Sequence, residues 1–279
     1  MLSGPHRKEA AVCLPRLAIA VDVLCADTEG SVAGRVADGS PRCFLHIPKS
    51  GGLSICTALE ATLPPGALAP QRFDTSTFCD FDDFDLLRPE IRTQIATDPS
   101  TVRSLGRYRA VCGHFSLRTL SQITDCSLIA TVLREPRSRL LSLYAYWRTP
   151  GIGDLVAPYS ATTHARRPLS EFLAEPLLAP VIDNQICRTL LHGDPRLPAS
   201  DFAAPSDLKE IAADAIRQLD TLGFVGVLEL GASAWRGVAQ LFGVTLNPIT
   251  INVTGEQIAP TPVEPGEKFL TAAFPTCLA

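Results

Sequence analysis

Several familiar signatures are missing from this chain. Its nine cysteines stand singly at 13, 25, 43, 56, 79, 112, 126, 187 and 277. No two are spaced CxxC, which leaves zinc ribbons and thioredoxin chemistry unsupported. A basic excess is missing too: the net charge is −4, which argues against a general nucleic-acid binder. Any anion site must therefore be built from local positive groups. No apolar run reaches membrane-spanning length. The best, from 10 to 26, is interrupted by Pro15, Arg16 and Asp22, too short and too polar to span a bilayer. What remains is 279 residues, 46% hydrophobic and 19% charged, enough for one large α/β domain with or without a small appendage. Cys43, Cys112 and Cys126 lie inside apolar runs, where a free cysteine acts as a small hydrophobe; that usage favours a reducing compartment.

The chain is organised around residues 42–54, Arg-Cys-Phe-Leu-His-Ile-Pro-Lys-Ser-Gly-Gly-Leu-Ser. A short apolar run passes through Pro-Lys-Ser-Gly-Gly into 53–63, where Ile55, Leu59 and Leu63 recur at helical spacing. This predicts a buried strand, a tight glycine turn and a helix start. Gly51 and Gly52 let backbone approach a ligand, and the first N–H groups of a helix have no internal partner. Such a turn is an anion cradle, with Ser50 and Ser54 as further donors and Lys49 as a point charge. The nucleotide-triphosphate motif GxxxxGK[ST] puts Lys after its glycines; here Lys49 precedes them.

Two more apolar runs follow. Residues 109–115 end in Gly113-His114. In parallel α/β sheets the ligand crevice lies at the carboxyl ends of the strands, so a neutral His114 imidazole there could take a proton from a hydroxyl. Residues 127–133 form a third buried strand, leading through Arg134-Glu135-Pro136 into a helix bearing Leu140, Leu141, Tyr144 and Trp147. Pro136 suits the first helical position.

Phe-Leu-His-Ile-Pro-Lys-Ser-Gly-Gly resembles the 5′-phosphosulfate loop of sulfotransferases that use 3′-phosphoadenosine-5′-phosphosulfate (PAPS), most closely the carbohydrate branch with the heparan and uronyl 2-O-sulfotransferases. Leu-Arg-Glu-Pro-Arg-Ser-Arg-Leu-Leu-Ser resembles the 3′-phosphate segment of that family, with Arg134 and Ser142 at the spacing that grips this phosphate. An arginine fork suits phosphate oxygens. Gly113-His114 matches the position of its proposed base. The resemblance spans about 42–255 and implies a P-loop-NTPase-like three-layer α/β sandwich with a mostly parallel central sheet. It assigns Lys49, Ser50, Gly51, Gly52, Leu53 and Ser54 to the 5′-phosphosulfate, Lys49 and His114 to catalysis, and no metal. The acceptor would be a hydroxyl compound, a small molecule or glycan, and the product nucleotide 3′-phosphoadenosine-5′-phosphate (PAP). Leu53 departs from the usual Thr and removes one hydroxyl donor, which predicts weaker cofactor binding.

Elsewhere, 1–40 reads as a weakly ordered leader, 41–255 as the catalytic domain and 256–279 as an irregular tail lacking the expected closing helix. Residues 73–85 read as a solvated acidic loop, and 149–168 as a long loop serving as lid or acceptor segment, with His164 in solvent. A helix is expected over 178–192, with Asn184 and Arg188 one turn apart; the pair either lines the acceptor pocket or bonds to itself. Ser206 is the expected cap of a helix over 207–219, and 224–228 a fourth strand ending at Glu229. A missing anchor and unpaired cysteines point to the cytoplasm, with the Golgi lumen as the site of eukaryotic relatives. Two other readings stay open: a kinase-like phosphoryl transferase, which lacks its Walker lysine, and a relic that binds nucleotide or glycan without turnover.

Overall fold

The computed structural model describes residues 39–74, 89–148 and 160–249. The leader over 1–38, most of the acidic segment (75–88), the loop over 149–159 and the tail from 250 lie outside the described residues.

In chain order the strands are β1 (Arg42–Leu45), β2 (Phe73–Asp74), β3 (Ile95–Ala96), β4 (Ala110–Gly113), β5 (Ile129–Leu133) and β6 (Phe224–Val227). The helices are α1 (Gly52–Thr62), α2 (Pro89–Arg92), α3 (Pro99–Ser104), α4 (Leu117–Leu120), α5 (Pro136–Trp147), α6 (Ser160–Ala165), α7 (Leu169–Leu173), α8 (Ala179–Ile182), α9 (Gln185–Leu190), α10 (Leu208–Leu219) and α11 (Ala232–Phe242). Short 3₁₀ turns fill several of the joints.

A four-stranded parallel sheet runs β4-β1-β5-β6. Side chains alternate across it, and both sets are buried. Phe44, Cys112, Ala130 and Val132 pack with Ile55 and Leu59 of α1 and Val238 of α11. Cys43, Leu45, Val111 and Ile129 face Leu105, Leu120 of α4, Leu190 of α9 and Ala215 of α10. Burial on both faces is why these strands read as unbroken apolar runs. A separate cluster joins Leu143 and Tyr144 of α5 to Phe172, Leu178 and Val181.

β1 lies between β4 and β5. The chain leaves β1 toward β4, whereas it leaves β5 toward β6. Adjacent strands whose connections diverge open a crevice at their carboxyl ends, and the loop after β1 meets the loop after β5 there.

The sequence-based expectations need five corrections. Phe73 and Asp74 form β2, parallel to β3, and Asp74 is buried, because its carboxylate accepts the Ser116 backbone N–H at 2.9 Å. His164 is buried in α6, with Nδ1 3.1 Å from Glu175 Oε2. The helix expected over 178–192 is broken at Asp183-Asn184, where Asn184 takes φ 48° and the Asp183 carboxylate is drawn to the Ala203 N–H at 2.9 Å. Asp207 precedes α10 without capping it by its side chain, and the Ser206 hydroxyl donates to the Asp207 carboxylate. Finally, Cys56 of α1 and Cys112 of β4 form a disulfide, their Cα atoms 6.0 Å apart. The unpaired-cysteine ground for a reducing compartment therefore fails. Among the described residues no helix is long and apolar enough to cross a membrane.

Candidate functional site

The turn after β1 is built by backbone. Lys49 and Gly51 take left-handed φ values of 67° and 76°. Gly51 caps α1 with no side-chain acceptor, so the amides of the first turn are not covered by a side chain from the cap. Gly51 is favoured by its φ and by packing, and Gly52 is required by packing alone. A Cβ on Gly51 would lie 2.7 Å from Leu228 Cδ1, and one on Gly52 would lie 2.0 Å from His46 Cδ2. Ser50 is 1% exposed and its Oγ has no hydrogen-bond partner. A buried hydroxyl without a partner is rare in a folded protein, and this one sits inside the turn. Ser54 is buried in the first turn of α1, and Leu53, 45% exposed, stands beside it with no hydroxyl to offer.

Lys49 and Arg134 come together. Arg134 Nη1 donates to the Lys49 carbonyl at 3.1 Å across the β1–β5 crevice. Lys49 Nζ lies 4.1 Å from the centroid of the Tyr146 ring of α5, a cation–π distance. Burial, and then the Arg134 charge, lower the Lys49 ammonium to about 8. Burial also lowers Arg134, against the pull of Glu229 and Glu135. Glu229 Oε1 accepts the Glu135 N–H at 3.1 Å, and the Glu135 carboxylate caps α5 by accepting from the Arg137 and Ser138 amides at 3.1 and 2.7 Å. Pro136 occupies the first position of α5, as expected. Ser142 lies further along the same helix, half-buried.

His114 sits on the other side of β1, just past the end of β4. It is half-buried, stacked on His46 with centroids 3.9 Å apart and on Phe73 at 5.5 Å. Its Nδ1 donates to the His46 carbonyl at 2.8 Å. That bond fixes the tautomer, so in the neutral ring Nε2 carries the basic lone pair. Burial above all lowers its pKa to about 4, with Lys49 pushing the same way and the His46 carbonyl and Asp74 opposing. His46, buried beneath the turn, is held well below the usual histidine range by desolvation first, and then by the repulsion a second proton on His114 or the Lys49 ammonium would add. The ring pair is therefore neutral at pH 7.

Asn184 and Arg188 lie elsewhere in chemical terms. Arg188 is buried and donates to the Asp183 carbonyl and carboxylate at 2.7 and 2.8 Å and to the carbonyls of Pro198 and Asp201. Asn184 Nδ2 also donates to the Asp183 carboxylate, at 2.6 Å. Their side chains do not bond to each other, although the Arg188 backbone N–H donates to the Asn184 carbonyl at 2.9 Å; each side chain serves Asp183, and Arg188 clamps the chain after α9.

Sequence reasoning missed His46, Phe73, Asp74 and Tyr146. Each lies inside a segment it had read, Phe73 and Asp74 inside one taken for a solvated loop, yet their roles come from contacts that spacing does not encode. The assembled site has a glycine turn with a bare hydroxyl, two cations over adjacent strand ends and a neutral imidazole one strand away. It suits a phosphorylated anion beside a group that can lose a proton. Set against known proteins, the chain matches no family model and no curated sequence.

Proposed function

We propose that the protein is a sulfotransferase of the PAPS-dependent kind, with a P-loop-NTPase-like three-layer sandwich, acting on a hydroxyl of a small-molecule or carbohydrate acceptor. The observation that carries this reading is the meeting of the Lys49 turn with Arg134 at 3.1 Å. It puts the residues expected to grip the two ends of one bisphosphorylated nucleotide at neighbouring strand ends, with His114 one strand away.

The residues present fit that nucleotide. The unpartnered Ser50 Oγ and a helix start that no side chain caps offer polar donors in the turn, while Gly51 and Gly52 let Leu228 and His46 pack against it. In this reading Lys49, Ser50, Gly51, Gly52, Leu53 and Ser54 hold the 5′-phosphosulfate, and Arg134 with Ser142 holds the 3′-phosphate. When bound, PAPS supplies an activated sulfuryl group and PAP is its remainder. The chain does the rest. His114 accepts the acceptor's hydroxyl proton on Nε2, and the His46 carbonyl keeps the ring turned for that task. Lys49 offers a charge preorganised against Tyr146, aimed at negative charge that grows on the phosphate side.

The test is sulfate transfer from PAPS over a panel of glycans and simple hydroxyl compounds, with His114→Ala beside the wild type. Transfer by the wild type, abolished in His114→Ala with PAP affinity retained, supports the assignment. Full transfer by His114→Ala removes His114 as the base. PAP binding by the wild type without turnover on any acceptor would favour the relic reading.

A further inference from the structure

Residues 72–74 cover the end of β4. The His114 N–H donates to the Arg72 carbonyl at 2.7 Å, the Asp74 N–H donates to the His114 carbonyl at 3.2 Å, and Phe73 bridges His114 in parallel register. On the other side of β4, Leu45 pairs with Gly113, so His46 stands opposite His114 one step further on. Phe73, His114 and His46 therefore occupy one row across three neighbouring segments, and their rings stack in that order. Phe73 and His114 lie 5.5 Å apart with their planes at 17°; His114 and His46 lie 3.9 Å apart at 27°. The close approach of residue 72 depends on Gly113. A Cβ there would stand 2.2 Å from the Arg72 carbonyl oxygen, far inside van der Waals contact. Buried Asp74 fixes the far end, accepting the Ser116 backbone N–H at 2.9 Å and the Ser116 hydroxyl at 3.4 Å.

We infer that Phe73 is a positioning residue for the His114 base, holding the imidazole plane from the side opposite His46. In a Ser-His-Asp triad a carboxylate orients the histidine. Here the His46 carbonyl takes Nδ1 and an aromatic ring lies over each face, so stacking sets the direction of Nε2. The Phe73 ring also shields the imidazole from water, which favours its neutral, proton-accepting form. Burial is the largest influence on the His114 pKa, ahead of the His46 carbonyl, Asp74 and Lys49, so the loss of a ring that supplies burial has a measurable consequence. The inference deepens the proposed function and rests on it for the transfer assay alone.

The experiment is an NMR titration of the His114 imidazole, its resonance assigned by loss in His114→Phe, beside steady-state sulfate transfer and titration with PAP. The proteins are wild type, Phe73→Leu and Phe73→Tyr. In Phe73→Leu, which keeps apolar volume without a ring, the His114 pKa should move up from about 4 toward 6.5. Its kcat should fall about tenfold or more through a misaimed base, with acceptor KM and PAP affinity near their wild-type values. Phe73→Tyr, which keeps the ring, should match the wild type in all four. Phe73→Met, whose flexible chain refills the space, takes the place of Phe73→Leu if that variant does not fold. An unmoved His114 pKa with wild-type kcat in Phe73→Leu would overturn the inference and leave the proposed function standing. A fall in kcat with an unmoved His114 pKa, or a change confined to KM, would also overturn it, since Phe73 would then act on the acceptor directly. A His114 pKa raised in Phe73→Leu and restored in Phe73→Tyr, with no transfer by the wild type on any acceptor, would keep the clamp and sink the sulfotransferase reading.

Discussion

Gly52→Ala is the most informative single-atom change available at this site. The added Cβ would stand 2.0 Å from His46 Cδ2 and 2.5 Å from both Cγ and Nε2 of that ring, whereas carbon atoms pack at about 3.5–4.0 Å. One of the two must move by roughly 1.5 Å on that standard. The His46 ring cannot yield cheaply. It is stacked on His114, buried beneath the turn, and its own carbonyl orients the His114 imidazole. Overpacking of this kind costs about 1–3 kcal/mol. Replacing glycine by alanine returns at most about 1 kcal/mol in a helix interior, and less at Gly52, the first residue of α1. The net is destabilising by up to about 3 kcal/mol, and for a domain of this size it lowers Tm by up to roughly 12 °C. The functional loss should be larger, since a 1 Å misplacement near reacting groups can cost about 100-fold in rate. Scanning calorimetry and a sulfate-transfer assay read the two effects. Gly106→Ala is the control, because its Cβ would meet only Ile123 Cβ at 3.9 Å. Wild-type melting and transfer in Gly52→Ala would refute the packing of His46 against the turn, and with it the orientation assigned to His114.

Three further outcomes follow from the same geometry. The pH profile of kcat/KM should be bell-shaped: activity falls below about 4 as His114 gains a proton, and above about 8 as Lys49 loses one. His114 also links pH to stability. Its folded pKa of about 4 lies below the unfolded 6.5, so the unfolded chain binds more protons between those values and stability falls as pH drops through that window. A urea midpoint that falls less in His114→Phe than in the wild type between pH 6.5 and 4 would bear this out, and an equal fall would contradict it. Arg188→Met should destabilise by about 1.5–3 kcal/mol by removing a charge-assisted hydrogen bond from the half-buried Asp183 carboxylate, without changing transfer per folded molecule; a large rise in acceptor KM would instead restore the acceptor role. Replacing Cys56 and Cys112 by Ala should cost on the order of 4 kcal/mol by the loop-entropy relation for a separation of 56 residues, seen as a lower urea midpoint and mimicked by reductant in the wild type.

The parts of this molecule that were legible in its sequence are those written in local pattern. The runs at 42–45, 110–113 and 129–133 and the Pro-Lys-Ser-Gly-Gly turn became β1, β4, β5 and the start of α1. Pro136 opened α5, and the run at 224–228 became β6, Phe224–Val227. What escaped depends on partners distant in sequence. Asp74 read as one more solvated acid because its acceptance of the Ser116 amide spans 42 residues. Cys56 and Cys112 carry no spacing signature, and only the packing of α1 on β4 joins them. Asp183 broke a helix that periodicity ran straight through, because the Ala203 N–H, 20 residues on, competes for its carboxylate. At the site the pattern was the reverse. Lys49, Arg134 and His114 were found from their strand ends, while the groups that tune them were not. The His46 carbonyl that sets a tautomer and the Tyr146 ring under an ammonium act across the fold.

The central claim is that one crevice at the β1–β5 edge binds an adenosine carrying phosphates at both ends. Thermal-shift titration with PAP, against ATP with magnesium, tests it most directly. A concentration-dependent rise in Tm with PAP, small or absent with ATP and magnesium and lost in Arg134→Met, is the predicted result. A rise with ATP and magnesium but none with PAP would contradict it.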